Sequence, residues 1–474
     1  MLSLRSLPLL LVTATAVVAQ LANYNCDATA CKAPACRCAS ATPPVDDPPM
    51  FLTLTFDDSV QASVWKQAQA LFANRKNPNG CPARATWYTQ VDYSDPYMVT
   101  QWYAQGNEIA DHTITHSFPT NAEIVGMAKW ANELAGIPKS KIKGFRFPLL
   151  NYTAEAFGRL SSLGFEYESS LSATGPDNVW PYTLDYGTVN ACLGAINICG
   201  QDLKAKGMWE IPMYSAMDPY NLPILTAPTA PAQVTANYKT DFDNHYKTGR
   251  VPYGVYLHPT WLTANTPGQP DGTAKLAAVN AFLDYAMAQP NTWMVTGSQL
   301  IEYMKNPVPA AQLASQPYMN CQPNPAPPTT ICNGLAGDAA TGNAAPETCN
   351  FATGAFRTCY GCPSAVPSLA DASPASTSTR ARVPATCDPL WWDPIAAKCL
   401  CTVAACAPGV DPTGAPGNTT VGTNSTASAN GTTPSNGSSG SSGNSTTNAK
   451  NSASSVMSGL GTAAAVVLGS ALAL

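Results

Sequence analysis

Apolar residues follow two alternating patterns between residues 46 and 306. Short apolar runs rich in β-branched and aromatic residues predict buried β-strands. These runs are MFLTLTF (50–56), ARATWYTQ (83–90), NEIAD (107–111), GVYLH (254–258) and TWMVT (292–296). Between them, apolar positions recur every three to four residues in 121–135 and 273–288, which predicts amphipathic helices. Such alternation indicates an α/β domain over 46–306 with a parallel sheet, either open or closed into a barrel.

The segment before this domain has a different pattern. Residues 1–19 carry one basic residue, Arg5, then an apolar run to Val18 and small residues. This is typical of a cleaved signal peptide, because the run is too short to span a bilayer. Residues 20–45 contain four closely spaced cysteines and form a Cys-rich N-terminal segment.

Three further segments follow the domain. Residues 307–410 are rich in Pro, Ala and Cys, which predicts a module held by disulfides. Residues 411–450 are mostly Ser, Thr, Gly and Asn, so we expect a disordered, glycosylated stalk. Its N-x-S/T sequons are at Asn418, Asn424, Asn430, Asn436 and Asn444.

The segment 451–474 is uncharged, and it begins with the small residues Asn451, Ser452 and Ala453, which precede an apolar run from Val456 to Leu474. This pattern predicts a GPI attachment signal that is removed, with Asn451 as the attachment site. The alternative is a tail-anchoring helix that stays in place. Together, the signal peptide and the GPI signal predict a secreted protein that is GPI-anchored at the plasma membrane and cell wall.

Composition narrows the partners and the compartment. The formal net charge is −5, so the sequence gives no sign of a basic surface that would bind nucleic acid. We also expect the protein to be a monomer. Sixteen cysteines indicate an oxidising compartment. Seven precede residue 200 and nine follow residue 320; both counts are odd, so complete pairing requires a bridge between the two groups. Cys192 and Cys199 bracket a short loop and are the first candidates for a local pair.

Residues with catalytic chemistry lie at the ends of the predicted strands. Asp57 and Asp58 end the first strand, and His112 and His116 follow another, four residues apart. On a helical turn, side chains at this spacing point from the same face. One carboxylate and two imidazoles make a His₂Asp metal site with an open position for water.

The second carboxylate of such a site would act as the general base on the metal-bound water. An arginine beside it would keep it ionised, and a histidine from another strand end would protonate the leaving group. That arrangement hydrolyses an acyl group. His245, in a polar helix-like stretch, we expect to be structural.

Four of these stretches, TFDD, HTITH, RFP and YLH, occur in an order and spacing that resembles NodB-like polysaccharide deacetylases, carbohydrate esterase family 4. The flanking segments CDATACKAPACRC, NPNGCPARATWY and YGVYLHPTWL resemble chitin deacetylases of the fungal and insect type. The resemblance covers residues 24–306. It implies a distorted (β/α) barrel of about seven parallel strands, between the Cys-rich N-terminal segment and the C-terminal Cys-rich module.

The resemblance also implies a role for each motif residue. Asp58, His112 and His116 would bind Zn²⁺, or another divalent metal such as Co²⁺ or Mn²⁺. The other implied roles are Asp57 as catalytic base, Arg146 as its orienting partner, His258 as general acid, the backbone N–H of Leu149 as oxyanion donor, and Leu257 as a wall of the acetyl-methyl pocket.

Several positions depart from the family pattern or stay open. Leu149 replaces the usual aromatic residue, and Glu168 stands where an aspartate is usual. The carboxylate that tunes the catalytic histidine therefore stays unassigned, with Asp177, Asp185 and Glu210 as candidates. Trp180 we expect to line the substrate groove, with a core tryptophan as the alternative. Asn151 forms a sequon five residues past Arg146, so a glycan there would lie at the rim of the cleft.

These features predict an enzyme that hydrolyses the N-acetyl groups of N-acetylglucosamine residues in chitin, giving chitosan and acetate. Two alternatives remain. The substrate is another acetylated polysaccharide, such as peptidoglycan or acetylxylan, or the chain is a non-catalytic chitin- or wall-binding protein on the same scaffold.

Overall fold

The structure, a computed structural model, describes residues 24–173, 178–190, 203–215, 217–218, 231–263, 271–321, 332, 346–376, 387–388, 391–393 and 398–402. The predicted signal peptide, stalk and GPI signal lie outside these residues, as do the stalk sequons and the Cys192–Cys199 pair. No helix within the described ranges is both long and apolar enough to cross a membrane.

The strands and helices fall where the apolar patterns predict them. The strands are β1 (Met50–Asp58), β2 (Thr86–Thr89), β3 (Glu108–Asp111), β4 (Gly144–Phe145), β5 (Tyr167–Glu168), β6 (Tyr182–Thr183), β7 (Trp209–Glu210), β8 (Tyr253–Leu257), β9 (Thr292–Val295), β10 (Glu347–Phe351), β11 (Gly354–Thr358), β12 (Trp392–Asp393) and β13 (Lys398–Cys399). The helices are α1 (Ala62–Ala70), α2 (Pro96–Ala104), α3 (Asn121–Ala135), α4 (Ala154–Ser162), α5 (Pro231–Lys247), α6 (Gly272–Met287), α7 (Gly297–Lys305) and α8 (Ala310–Leu313). All five predicted strands and both predicted helices are confirmed.

Nine strands form one curled sheet in the order β6-β7-β5-β4-β3-β2-β1-β8, with β9 paired to β1. Strand β1 pairs with β8 along one edge; along the other it pairs with β9 at its beginning and β2 at its end. All pairs in this sheet are parallel except β6 with β7. The predicted distorted (β/α) barrel is therefore confirmed, as an open one whose sheet ends at β6 and β8.

Strand β1 pairs with three other strands, β2, β8 and β9, and its residues up to Phe56 are apolar or threonine. Its residues are buried on both faces up to Asp57, which suits a parallel strand covered by helices on one side and barrel contents on the other. Phe56 packs against Trp87 of β2 and Trp102 of α2, with ring centroids 5.3 and 5.8 Å apart. A fully buried side chain of this kind contributes about 1.5–3 kcal/mol of transfer free energy.

The helices begin at polar residues that cap their first turn. The Asp95 carboxylate accepts the Tyr97 and Met98 N–H groups at α2, and the Asp271 carboxylate accepts the Ala274 N–H at α6. Such caps satisfy backbone donors that lack a partner within the helix. Each cap fixes the loop that leads from a strand end, which is where the functional residues lie.

One of the described disulfides joins the C-terminal Cys-rich region to the barrel, and the other five lie within the two Cys-rich regions. The described pairs are Cys26–Cys38, Cys31–Cys36, Cys81–Cys321, Cys332–Cys359, Cys349–Cys362 and Cys387–Cys399. The Cys81–Cys321 bridge spans 240 residues. It confirms the bridge between the front and the rear of the chain that the odd cysteine counts require.

The antiparallel hairpin of β10 and β11 packs on the barrel near α2 and α3. The Arg357 Nε donates to the Asp95 carboxylate over 2.9 Å, and the Thr358 hydroxyl donates to the Leu134 carbonyl over 2.6 Å. Tyr360 lies against Gly136, where a Cβ atom would overlap its hydroxyl. These contacts bring part of the Cys-rich module to the end of the barrel at which β1 and β2 finish.

Candidate active site

The predicted functional residues gather at the carboxyl ends of the parallel strands. Asp57 and Asp58 end β1, His112 follows β3, Arg146 follows β4 and His258 follows β8. The sheet ladder extends into these positions: the His112 N–H donates to Thr89 and the Arg146 N–H to Asp111, each over 3.1 Å. Because parallel strands finish on one face of the sheet, the five side chains share one site, as in other α/β barrels.

Asp58, His112 and His116 form a triad with the geometry of a metal site. The Asp58 Oδ1 lies 3.3 Å from the His116 Nε2 and 3.8 Å from the His112 Nε2, and one donor atom of each residue lies within 4.8 Å of the others. The His112 Nδ1 contacts the Arg146 carbonyl at 2.9 Å, so Nε2 points into the triad. Hydrogen bonds of this kind orient metal-binding histidines.

The Asp58 carboxylate supports this fit. Its Oδ1 is buried and has no hydrogen-bond partner among the described residues. A buried carboxylate oxygen without a partner costs free energy, and a cation between the three residues would offset that cost. Two imidazoles and one carboxylate are donors that Zn²⁺ accepts in catalytic sites. The residues present therefore fit the predicted divalent metal.

The two histidines converge through a loop, so the expectation of a helical turn is wrong. Residues 112–119 have no helical hydrogen bonds, and Thr113 and His116 have positive φ angles of 71° and 55°. Non-glycine residues rarely adopt this left-handed conformation. The sequence spacing of four is therefore not what brings the imidazoles together.

Two buried carboxyl groups hold this loop. The Glu123 carboxylate, in the first turn of α3, accepts the Ile114 and Thr115 N–H groups over 2.8 and 3.0 Å and the Thr115 hydroxyl over 2.5 Å. The Asp111 carboxyl accepts the Thr113 N–H over 2.7 Å. Glu123 was not among the predicted site residues, although its place three residues after Thr120 is visible in the sequence as a helix-start signal.

Asp57 and Arg146 form a buried ion pair next to the triad. The Arg146 Nη1 lies 2.7 Å from the Asp57 Oδ1 and also donates to the Thr55 hydroxyl over 2.9 Å. Burial opposes ionisation of Asp57, but the charges of Arg146, His112 and His258 outweigh it and hold its pKa below the ordinary value. Asp57 is therefore an ionised carboxylate that can accept a proton.

Further contacts fix the orientation of the Arg146 guanidinium. Its Nε donates to the Ser169 carbonyl over 2.6 Å, and its Nη2 donates to the Ser169 hydroxyl over 3.0 Å. The Tyr88 ring lies 3.9 Å below the guanidinium carbon. With every edge of the group engaged, Arg146 presents one nitrogen to Asp57 in a fixed direction.

His258 lies nearest the second carboxylate oxygen of Asp58, Oδ2, and is paired with Asp218. The Asp218 carboxylate accepts the His258 backbone N–H over 2.8 Å, and its Oδ2 lies 2.5 Å from the His258 Nδ1. The His258 Nε2 lies 3.9 Å from the Asp58 Oδ2 and faces the triad. Burial disfavours the imidazolium, but Asp218, Asp57 and Asp58 outweigh it and raise the pKa of His258 to about 9. His258 is therefore a proton donor at neutral pH.

Asp218 is the partner that the sequence analysis did not find. Its N–H donates to the Tyr256 carbonyl over 3.0 Å, which ties the loop after β7 to β8. Of the three candidates, Asp185 accepts the Gly207 N–H over 3.0 Å, and Glu210 pairs in register with Glu168 on β5. Asp177 lies outside the described residues. A carboxylate placed after the end of a parallel strand was the available signal.

Glu168 and Glu210 form a buried carboxyl pair within the barrel. Both side chains are fully buried, and their strands place them directly opposite each other. Burial raises the pKa of both carboxyls, and for Glu210 the neighbouring charge of Glu168 raises it further. The pair therefore favours retaining a proton, and it is Asp218, not this pair, that contacts His258.

The remaining predicted site residues differ in exposure. Leu149, 76% exposed with φ of 56°, lies in a single turn just after Arg146, and Leu257 is fully buried at the end of β8 beside His258. Asn151 is half-buried, two residues past Leu149. Their positions suit the predicted oxyanion donor, methyl-pocket wall and rim glycan, and these roles stay predictions.

Trp180 lies in the core and does not line the groove. Its side chain is fully buried, its indole N–H donates to the Gly249 carbonyl over 3.3 Å, and its ring lies 6.1 Å from that of Tyr303. Tyr303 in turn packs on Phe51, near the beginning of β1. Trp180 is thus at the opposite end of the barrel from the triad, and the core alternative is the one the structure shows. His245 is also buried, and its Nδ1 contacts the Val251 carbonyl at 3.1 Å, as expected of a structural histidine.

Comparisons with known proteins identify relatives of this chain. The family model described as Polysaccharide deacetylase matches residues 45–168. Chitin deacetylase 8 of Bombyx mori is 30% identical over 338 residues, which cover 66% of this chain and 86% of that protein. Chitin deacetylase 1 of the same insect is 28% identical over 316 residues, covering 60% of this chain and 57% of that protein.

Among the solved structures that the chain matches is the family 4 carbohydrate esterase from Streptomyces lividans in complex with acetate. It is 17% identical, covers 52% of this chain and 92% of its own, and has a TM-score of 0.30. The family assignment rests on the sequence relatives. With 30% identity across most of a relative's length and a matching family model, the chain belongs to the polysaccharide deacetylase family.

Proposed function

We propose that this enzyme is a metal-dependent chitin deacetylase that releases acetate from N-acetylglucosamine residues and leaves chitosan. The observation that carries the proposal is the presence of two prepared groups beside the metal-ligand triad. Asp57, held ionised by Arg146, can take a proton, and His258, held protonated by Asp218, can give one. Hydrolysis of an amide needs both.

The mechanism follows from these two groups. Asp57 takes the proton of the attacking water, and Arg146 keeps its carboxylate turned toward that position. The Leu149 N–H donates to the oxygen of the acetyl carbonyl as negative charge builds up on it. His258 then protonates the amide nitrogen, so that it leaves as a neutral amine. Leu257 provides an apolar wall for the acetyl methyl group.

Asp58, His112 and His116 would hold the metal, and Zn²⁺ is the metal we propose. When bound, a divalent cation favours ionisation of the water and polarises the carbonyl. It also explains why two acidic residues stand side by side at the end of β1, since its charge offsets their repulsion.

Chitin is proposed as the substrate because the sequence relatives are named chitin deacetylases. For location we propose a secreted protein with a GPI anchor at the plasma membrane, on the basis of the sequence patterns at both ends of the chain. The domain boundaries given above are also proposed from sequence patterns, namely the changes in composition along the chain.

Acetate release from N-acetylglucosamine oligomers tests the function. The enzyme should lose activity on chelation and regain it with Zn²⁺, and Asp57→Asn should lower kcat by about 10²- to 10⁴-fold, the usual contribution of a general base. Asp243→Asn, which changes a carboxylate on α5 that pairs with Lys247, is the matched control and should keep wild-type activity. Wild-type rates in Asp57→Asn, or no acetate from any oligomer, would refute the proposal.

A further inference from the structure

A cavity of about 530 Å³ lies near the carboxyl ends of β1 and β2. Its walls are the loops that follow β1 and β2 and the tip of the β10–β11 hairpin. Gln61, one of its lining residues, is three residues past Asp58, and the Asp92 N–H donates to the Ile114 carbonyl of the histidine loop over 2.9 Å. The cavity therefore borders the loops that carry the triad residues, and its volume is within the ~300–1,000 Å³ common for small-ligand sites.

Tyr93 is the most prominent side chain at this cavity. It is 84% exposed, the largest exposure among the large apolar and aromatic side chains that the structure describes, and its φ is 67°. An exposed aromatic residue on a left-handed backbone contributes neither to the core nor to a relaxed loop, which is a pattern found at functional sites. Tyr93 therefore offers an aromatic face to whatever enters the cavity.

The hairpin supplies the opposite wall. Phe351 and Phe356 are half-buried there, with ring centroids 5.4 Å apart. The Cys349–Cys362 disulfide joins the hairpin to the chain that follows it. The ion pair of Arg357 with Asp95, 2.9 Å long, and the Thr358–Leu134 hydrogen bond attach the hairpin to the barrel and so place this wall.

Polar groups lie between the aromatic walls. The Asp92 carboxyl is half-buried in the cavity, and burial with the nearby Glu123 charge raises its pKa. Gln61 and Thr353 add an amide and a hydroxyl. Aromatic faces with a few placed acceptors and donors suit a sugar ring, whose C–H faces are apolar and whose edge carries hydroxyls.

We propose that this groove binds a sugar unit of the polymer next to the one that is deacetylated, with Tyr93 stacking on the ring and the β10–β11 hairpin as its outer wall. The inference rests on the proposed function. In this proposal the Cys-rich region, through its hairpin, makes the enzyme prefer long polymer chains to short ones.

The first experiment compares kcat/KM for the hexamer and the dimer of N-acetylglucosamine. Tyr93→Ala should lower the hexamer-to-dimer ratio about tenfold, a change that corresponds to about 1.4 kcal/mol. Alanine bears the same positive-φ cost as tyrosine, so the loop should keep its conformation. Tyr93→Phe retains the ring and should recover most of the ratio.

A second pair of variants tests the hairpin wall. Ala355 is exposed and lines the cavity, whereas Ala352, exposed on the same hairpin, does not line it. Ala355→Trp should fill the groove and lower the hexamer-to-dimer ratio. Ala352→Trp is the matched control for surface change and hairpin stability, and it should keep the wild-type ratio. An unchanged ratio in both Tyr93→Ala and Ala355→Trp, or equal losses on dimer and hexamer, overturns the proposal.

Calorimetry separates this inference from the proposed function. If the wild-type enzyme releases no acetate from any oligomer, the proposed function fails, and the groove is judged by hexamer binding alone. Hexamer affinity that falls in Ala355→Trp but not in Ala352→Trp supports the groove. Equal hexamer affinity in the wild-type enzyme and both variants overturns it.

Discussion

Replacing Asp218 with asparagine should move the alkaline limit of activity to lower pH. Asp218 is the carboxylate closest to His258, 2.5 Å from Nδ1, and it also accepts the backbone N–H of the same residue. In the Asp218→Asn variant the amide oxygen could still accept that N–H, so the loop should keep its position. What is lost is the negative charge that stabilises the imidazolium.

The magnitude follows from the pKa of His258, which is raised from 6.5 to about 9. Asp57 and Asp58 contribute part of this rise and remain in the variant, so we expect the pKa to fall by between about 1 and 2.5 pH units. At pH 8 a group with pKa 9 is about nine-tenths protonated, and one with pKa 6.5 about one-thirtieth. Because only protonated His258 can donate, activity at pH 8 should fall by about two- to thirtyfold, whereas activity at pH 6 should fall by less than about 1.5-fold.

The assay is kcat for acetate release between pH 5 and pH 10, on one oligomer at saturating concentration. Asp185→Asn is the matched control: Asp185 was a candidate for the same role, but it accepts the Gly207 N–H instead. Its alkaline limit should match that of the wild-type enzyme. If the limit does not move in Asp218→Asn, Asp218 does not set the protonation of His258 and the assignment is wrong.

Three further predictions concern other contacts. Glu123→Ala should weaken Zn²⁺ affinity by about 10- to 100-fold, measured by competition with a chelating dye, because it frees the loop that carries both histidines. Glu210→Gln should flatten the fall in stability as pH rises above the ordinary carboxyl pKa of 4.5, in denaturant unfolding series. The wild-type pair keeps a proton that the unfolded chain releases, and each unit of raised pKa corresponds to about 1.4 kcal/mol. Replacing Cys81 and Cys321 with serine should lower the free energy of unfolding by about 3–5 kcal/mol, because the bridge closes a loop of 240 residues.

A different result would contradict each of these three predictions. Glu155→Ala changes an exposed first-turn glutamate on α4 and should leave Zn²⁺ affinity unchanged; an equal loss there would show that Glu123 acts only through stability. A pH–stability profile in Glu210→Gln that parallels the wild-type profile would mean that the buried carboxyls are not the source of the pH dependence. Unchanged unfolding in the cysteine variant would show that the unfolded chain is not constrained by the bridge.

The secondary structure of the barrel could be predicted because burial imposes a period on the sequence. β1 is apolar or threonine up to Phe56 because both of its faces are covered, and α3 repeats apolar residues because only one of its faces is covered. The site residues followed from the same logic, because the ends of parallel strands share one face. That reasoning needs no knowledge of side-chain contacts.

The rest of the site could not be predicted because it depends on irregular backbone. His112 and His116 converge through positive φ angles and the hydrogen bonds of Glu123, neither of which has a periodic signal. Asp218 reaches His258 from a loop 40 residues earlier in the chain. Trp180 shows the opposite error: an aromatic residue alone does not reveal which end of a barrel it occupies.

The Cys81–Cys321 bridge has a consequence for the biosynthesis of the chain. Four cysteines precede Cys81, and all four close among themselves within residues 26–38. Cys81 must instead wait for a partner that is synthesised 240 residues later, which takes about 10–50 s at ~5–20 residues per second. During that interval it is a reactive thiol beside newly formed disulfides, so correct maturation depends on disulfide exchange that reopens any early, wrong pairing.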